Sequence, residues 1–224
     1  MPRIVDHAER RRIVAEVAAD LVAEGGIDAV TVRDIAARAG TSTAIVSHYF
    51  RGKRELLLVT FDQAAGRARR RFAAALAADP ADLRGCCEAL LPLDDERRRD
   101  WQVWFSFWGR AVADPELGAN QRRRVRETRA RIAEVVLAAR PDLDVDGATA
   151  HARRILTAIT GIATQAVFDP QDWPAERQRE VLAVDLDDAC AADPDARARR
   201  VEGVPASPGS VTTTPSGSPS TRGG

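Results

Sequence analysis

Thr43, Ser47, His48 and Tyr49 lie within seven residues of one another in the stretch TSTAIVSHYF. The hydroxyls of Thr43 and Ser47 can donate or accept hydrogen bonds. Ala44 and Ile45 can touch a thymine methyl, and His48 and Tyr49 can reach phosphates or bases. Arg33, Arg51 and Lys53 flank the stretch and can neutralise phosphates, as can the backbone N–H groups at helix starts. This is chemistry for reading a nucleic-acid duplex. Catalysis would need other parts, and no nucleophile–base–orienter set is visible anywhere in the chain.

A second concentration of chemistry is DWQVWFSFWGR, which holds three of the four tryptophans. Trp101, Phe105 and Trp108 follow one another at i, i+4 and i+7 and share a helix face, with Trp104 beside it. Two readings stand. The rings could simply pack a core, as aromatic stripes usually do. They could instead wall a pocket for a small molecule, with indole faces attracting a quaternary ammonium through the ring quadrupole. Against a cationic cage, the nearest acid, Asp100, has no evident place inside it.

The other reactive residues point to less. Cys86 and Cys87 are adjacent, but no His or Cys stands at zinc spacing from them. They read as small helical residues, one inward, more readily than as a redox or metal pair, and no metal or cofactor is expected. His7 and His151 are isolated. Arg122, Arg123, Arg124 and Arg126 form a basic run that reads as a solvated helix face balanced by Glu116, Glu127 and Glu134. Arg10, Arg11 and Arg12 are candidates for phosphate contact.

The elements that position these groups follow from composition and periodicity. In 224 residues, 45% hydrophobic and 29% charged, the 33 basic side chains are balanced by 33 acidic ones, so a nucleic-acid surface must be a local concentration. Lys53 is the sole lysine. Three cysteines argue against a disulfide framework. No signal-peptide pattern and no membrane-length apolar run occurs, so the expected location is the cytoplasm.

Strand patterns are absent and the chain reads as all-α, with about nine helices. A first helix over about 7–24 carries Ile13, Val17 and Leu21, with Val14, Ala18 and Val22 beside them, and Gly25-Gly26 ends it. Thr31 caps a second, with Asp34 three residues on as in a capping box. Gly40 breaks it, and a third of about seven residues ends near Phe50 with Val46 and Phe50 inward. A fourth starts near Lys53. Further helices span about 83–91, 95–112, 115–140, 146–168 and 175–192, punctuated by Pro92, Pro115, Pro141, Pro170 and Pro174. From Gly203 the chain is Pro, Gly, Ser and Thr, too poor in apolar residues to offset ordering entropy. The expected division is 1–53, a helix-turn-helix module; 54–200, a second helical domain; and 201–224, a disordered tail.

Two short helices across a glycine turn form a helix-turn-helix, whose second helix enters the major groove. A plain three-helix packing element would share the glycine and the caps. The fuller pattern TVRDIAARAGTSTAIVSHYFRGKRELL resembles the DNA-binding signature of TetR-family transcriptional repressors over about residues 8–60. STAIVSHYFRGK and, more loosely, WQVWFSFWGRAVADPELGANQRRR are similar to the choline-responsive BetI-like subgroup. The resemblance implies that Thr43, Ala44, Ile45, Ser47 and His48 face the major groove and that Thr31, Arg33, Tyr49 and Lys53 bind backbone phosphates. It implies a non-enzymatic repressor of double-stranded operator DNA. It also implies an effector pocket in the C-terminal domain, placed at Trp101, Trp104, Phe105 and Trp108, and a homodimer built on a four-helix bundle. The late helices offer Ile155, Ile159, Ile162, Ala166, Leu182 and Leu186 for that bundle, although the same stripe could close an intramolecular core.

Overall fold

The computed structural model describes residues 7–191, and the expected tail, 201–224, lies outside them. Among the described residues nine helices occur in the order α1 (His7–Ala29), α2 (Val32–Arg38), α3 (Thr43–Tyr49), α4 (Lys53–Ala78), α5 (Leu83–Glu88), α6 (Asp95–Ala111), α7 (Pro115–Ala139), α8 (Val145–Phe168) and α9 (Ala175–Ala191). None is long and apolar enough to cross a membrane.

Side-chain caps set most of the helix starts. Ser42, Asp82, Asp94, Asp114 and Asp144 each accept from backbone N–H groups one turn into α3, α5, α6, α7 and α8. Thr31 and Asp34 make the reciprocal capping box at α2. The first helix differs from expectation at its end. Gly26 takes a non-helical conformation (φ 76°, ψ 165°), and a further helical turn runs on to Ala29. Its buried stripe also differs. Val14, Ala15, Ala18, Ala19 and Val22 are buried, whereas Ile13 is 41% exposed. Alanine carries little hydrophobic weight in a sequence pattern, yet its small size lets α1 approach α4 and α6 closely.

Three hydrophobic clusters organise the fold. One joins α1, α2 and α3 to α4 and includes Val46, Phe50, Leu56 and, from α6, Val103. The largest lies among α4 to α9 around Trp101, Ile132, Ile155, Ile159 and Leu182. A third, small one pairs Phe61 with Phe107, their rings stacked 3.8 Å apart. Trp104 packs against all three. The described residues form one compact unit across residue 53, because α6 packs on α1 and α4.

The six residues expected at a dimer interface fall elsewhere. Ile155, Ile159, Ile162, Ala166, Leu182 and Leu186 are all buried within the single chain, each no more than 5% exposed. They face the interior where α8 meets α7 and α9. Periodicity marks a face that must be covered and does not tell which chain covers it.

Candidate nucleic-acid interface and ligand cavity

The turn between α2 and α3 is held by Gly40 at φ 62°, the left-handed region that a side chain disfavours. The Ala39 and Thr41 N–H groups donate back to Ile35 and Ala36. Ser42 then caps α3 through the Ile45 N–H at 3.2 Å. With Val46 and Phe50 fixed in the core, the rest of this two-turn helix turns outward. Thr43, Ala44, Ser47 and His48 are exposed and Ile45 is half-buried. The rings of His48 and Tyr49 meet edge to face at 5.5 Å.

Among the surrounding cations, Arg33 is exposed and makes no ion pair among the described residues. The side chain of Lys53 lies outside the described residues. Thr31 is occupied by the cap, its hydroxyl and backbone N–H both donating to Asp34. The Thr31 hydroxyl, and after it the Thr31 backbone N–H, hold the Asp34 carboxyl below its usual range. The Arg10–Arg12 run divides. Arg11 pairs with Glu55 at 2.9 Å and Arg12 with both Glu9 and Glu16, which leaves Arg10 as the exposed member with no carboxylate partner among the described residues.

The aromatic helix α6 has two working faces. One bears Trp101, Trp104 and Trp108, which line a cavity of about 650 Å³ between α4, α6, α7 and α8. Phe105, expected with them, lies outside the wall: it packs against Trp101 and Trp108 and stacks over Phe168, 6.1 Å between centroids. The α8 wall is a stripe through Leu156, Thr160 and Thr164. The other face of α6 reaches the helix-turn-helix half. Val103 enters its core, Arg99 pairs with Asp20 at 3.1 Å, and Arg110 pairs with Asp28.

Asp100 is not part of the cavity wall and has a role that periodicity did not reveal. It is fully buried and binds two α4 guanidiniums, Arg67 (2.9 Å to Nε) and Arg71 (3.0 Å), with Glu96 at their outer side. Its spacing to Arg67 and Arg71 is long in sequence, so no local pattern announces it.

The basic run on α7 is also not uniformly solvated. Arg124 turns inward, pairs with Asp62, donates its Nε–H to Asn120 Oδ1 at 2.8 Å, and sits 4.8 Å over the Phe61 ring. Burial pushes its pKa down and Asp62 pulls it back up. Cys86 and Cys87 are buried in the main core. Burial, then Asp82 and Asp79, push the Cys86 thiol above its ordinary value, which leaves it a poor nucleophile. Among the described residues no group of three or more His, Cys, Asp or Glu could hold a metal ion.

Comparison with known proteins agrees with both halves. Residues 14–60 match the bacterial regulatory proteins of the tetR family, and residues 80–191 match the C-terminal domain of BetI-type transcriptional repressors. The HTH-type transcriptional regulator PksA of Bacillus subtilis is 26% identical over 86% of this chain and 96% of its own. The HTH-type transcriptional regulator BetI of Cronobacter sakazakii is 27% identical over 80% and 90%. Among solved structures, a transcriptional regulator from Saccharomonospora viridis in complex with choline superposes with a TM-score of 0.71 at 25% identity, over 80% of this chain and 96% of that one. A transcriptional regulator from Rhodococcus does so at 0.70 and 27%, over 79% and 94%. With a seated two-turn helix at its N-terminal end and an aromatic cavity behind it, the chain belongs to the TetR family of helix-turn-helix transcriptional regulators, a non-enzymatic family, and carries a BetI-type C-terminal domain.

Proposed function

We propose that this regulator is a cytoplasmic homodimeric repressor that binds a palindromic operator and is released by a small molecule. Thr43, Ala44, Ile45, Ser47 and His48 read base edges, while Thr31, Arg33, Tyr49 and Lys53 hold backbone phosphates. The observation that carries this reading is the division of α3: Val46 and Phe50 are buried, Ser47 and His48 between them are exposed, and Tyr49 is half-buried against the core. The DNA-binding module is residues 1–53 and the effector and dimerisation domain 54–200.

Dimerisation uses the faces of α8 and α9 opposite the core stripe. On α8 the side chains Arg154, Gln165 and Phe168 are exposed, with half-buried Ala158 in line, and on α9 Glu180, Val184 and Asp187 are exposed. Phe168 is 78% and Val184 61% exposed, the large apolar residues a partner would cover. Two recognition helices are then held about 34 Å apart, one helical repeat of DNA.

The effector site is the cavity behind Trp101, Trp104 and Trp108. The choline bound by the Saccharomonospora relative supports a small-molecule effector here. Helix α6 is the coupling element, since it walls the cavity on one face and enters the DNA-binding core on the other. Release requires only that the effector bind the DNA-competent and DNA-incompetent arrangements with different affinity.

A gel-shift titration on the region upstream of its own gene, against a scrambled duplex, tests the reading. Tyr49→Ala and Lys53→Ala weaken binding to both duplexes. Ser47→Ala and Thr43→Ala each cost about 1–3 kcal/mol on the cognate sequence and little on the scrambled one. Equal losses on both duplexes for all four variants defeat the division of roles. Sedimentation gives a dimer for the wild type and a monomer for Phe168→Asp/Val184→Asp. A wild-type monomer that ignores DNA at low salt overturns the proposal.

A further inference from the structure

The effector-site reading leaves the ligand's chemistry open, and the cavity wall narrows it. Besides its tryptophans, the wall carries five arginines, Arg69, Arg124, Arg129, Arg131 and Arg153, against a single acid, Glu127. Glu127 is exposed and already faces Arg123 at 3.7 Å. Arg124 is matched by Asp62. The remaining four, Arg69, Arg129, Arg131 and Arg153, make no ion pair among the described residues. They come from three different helices, α4, α7 and α8, with Arg129 and Arg131 half-buried and Arg69 and Arg153 exposed, so the positive charge converges on the cavity from several sides and does not belong to one helix surface. Low-dielectric walls of one sign concentrate ligands of the opposite sign, and guanidiniums match carboxylates in geometry as well as charge.

The tryptophans do not offset this field with a cation cage. Their rings are packed on one another edge to face, Trp101 with Trp104 at 4.8 Å and with Trp108 at 5.8 Å, so ring faces are partly taken by neighbouring ring edges. The indole N–H groups of Trp104 and Trp108 are buried with no acceptor among the described residues. A quaternary ammonium brings no acceptor and adds a like charge to four unmatched arginines. The cavity, about 650 Å³, has the size of sites for drug-sized molecules, well beyond what a compact cation fills.

We propose that the effector is an amphipathic carboxylate, with an alkyl or aromatic body laid against the tryptophans and its carboxylate held by the unmatched guanidiniums of the α7 and α8 wall, Arg129, Arg131 and Arg153. This rests on the effector-site reading for its regulatory meaning but not for the binding itself. A matched pair of probes isolates charge from shape: octanoate and octyltrimethylammonium, both below their micelle concentrations, with choline as a third. Tryptophan fluorescence and thermal shift are recorded on the full chain. Octanoate binds saturably, one per chain, at least tenfold more tightly than octyltrimethylammonium, and choline gives no saturable signal. Arg129→Gln/Arg153→Gln removes the tenfold preference while the far-ultraviolet circular dichroism stays unchanged, and Arg131→Gln alone, as an independent variant, reduces it. A cation bound as tightly as octanoate, a preference that survives all three arginine changes, or no saturable binding of octanoate overturns the proposal. If octanoate fails while the operator shift succeeds, the ligand assignment alone falls. If octanoate binds and the operator shift fails, the regulatory reading falls and the ligand assignment stands.

Discussion

The helix proposed to read DNA and the cavity are built on opposite plans. Helix α3 is seven residues long, anchored by two side chains four apart, and its chemistry is contiguous in sequence. The cavity draws side chains from four helices separated by up to about a hundred positions, and its charges come from residues that look locally like solvated arginines. The first plan tolerates a fixed docking geometry with interchangeable outer residues. The second makes ligand choice sensitive to any helix that moves. Helix α6 joins the two plans, and Trp104 touches the core of each.

The largest break in that junction is Asp100→Asn. Removing the carboxylate leaves Arg67 and Arg71 facing each other with only Glu96 at their outer side. The expected loss in urea denaturation is about 3 kcal/mol, the lower end for breaking a buried pair, because both guanidiniums keep some solvent contact. Unchanged stability would mean that α4 and α6 are held by apolar packing alone.

Trp104→Phe sharpens the comparison instead of breaking it. Operator affinity without ligand stays near wild type, while the change in operator affinity caused by saturating octanoate, expected at about 5–150-fold for an allosteric pair, falls toward one. Retained coupling would assign transmission to the Arg99–Asp20 and Arg110–Asp28 contacts in place of the ring. Gly40→Ala confines the damage to the other plan. The side chain at φ 62° strains the turn, costs about 1 kcal/mol, and weakens operator binding in the gel shift without altering ligand fluorescence.

The smallest effect is with pH. His151 is buried in α8, and desolvation, with Arg154 and Arg140, lowers its pKa from the ordinary 6.5. The unfolded chain therefore takes up a proton before the folded one does. The contribution to stability is present above pH 6.5 and is lost as pH falls through the depressed folded value. Thermal melts of His151→Gln should show a flatter pH dependence than wild type between pH 7.5 and 5, with operator binding at pH 7.5 unaffected.

The helix-turn-helix was legible because its determinants are local. A capping Thr three residues before Asp34, a glycine that alone takes the turn, and the Val46–Phe50 pair each act over one helical turn. The helix boundaries were legible for the same reason, since capping aspartates and prolines act on their immediate neighbours. The tryptophans at the cavity were legible as a stripe, and Phe105 was misplaced because helical spacing gives a shared face within some tens of degrees and not which neighbour covers it. The apolar stripe of α8 was legible as buried, but its assignment to a partner chain was not.

The amino-acid order by itself determined the number of helices and most of their starts, the seat of α3 and the outward placing of Thr43, Ala44, Ser47 and His48, because propensity, capping and turn chemistry are short-range. Only the tertiary structure decided that Asp100 is buried between two arginines, that Ile155 to Leu186 close the chain on itself, and that unmatched guanidiniums ring the cavity. Those outcomes depend on which distant side chains meet, and both burial and charge pairing are properties of the packed assembly of helices and not of any one segment.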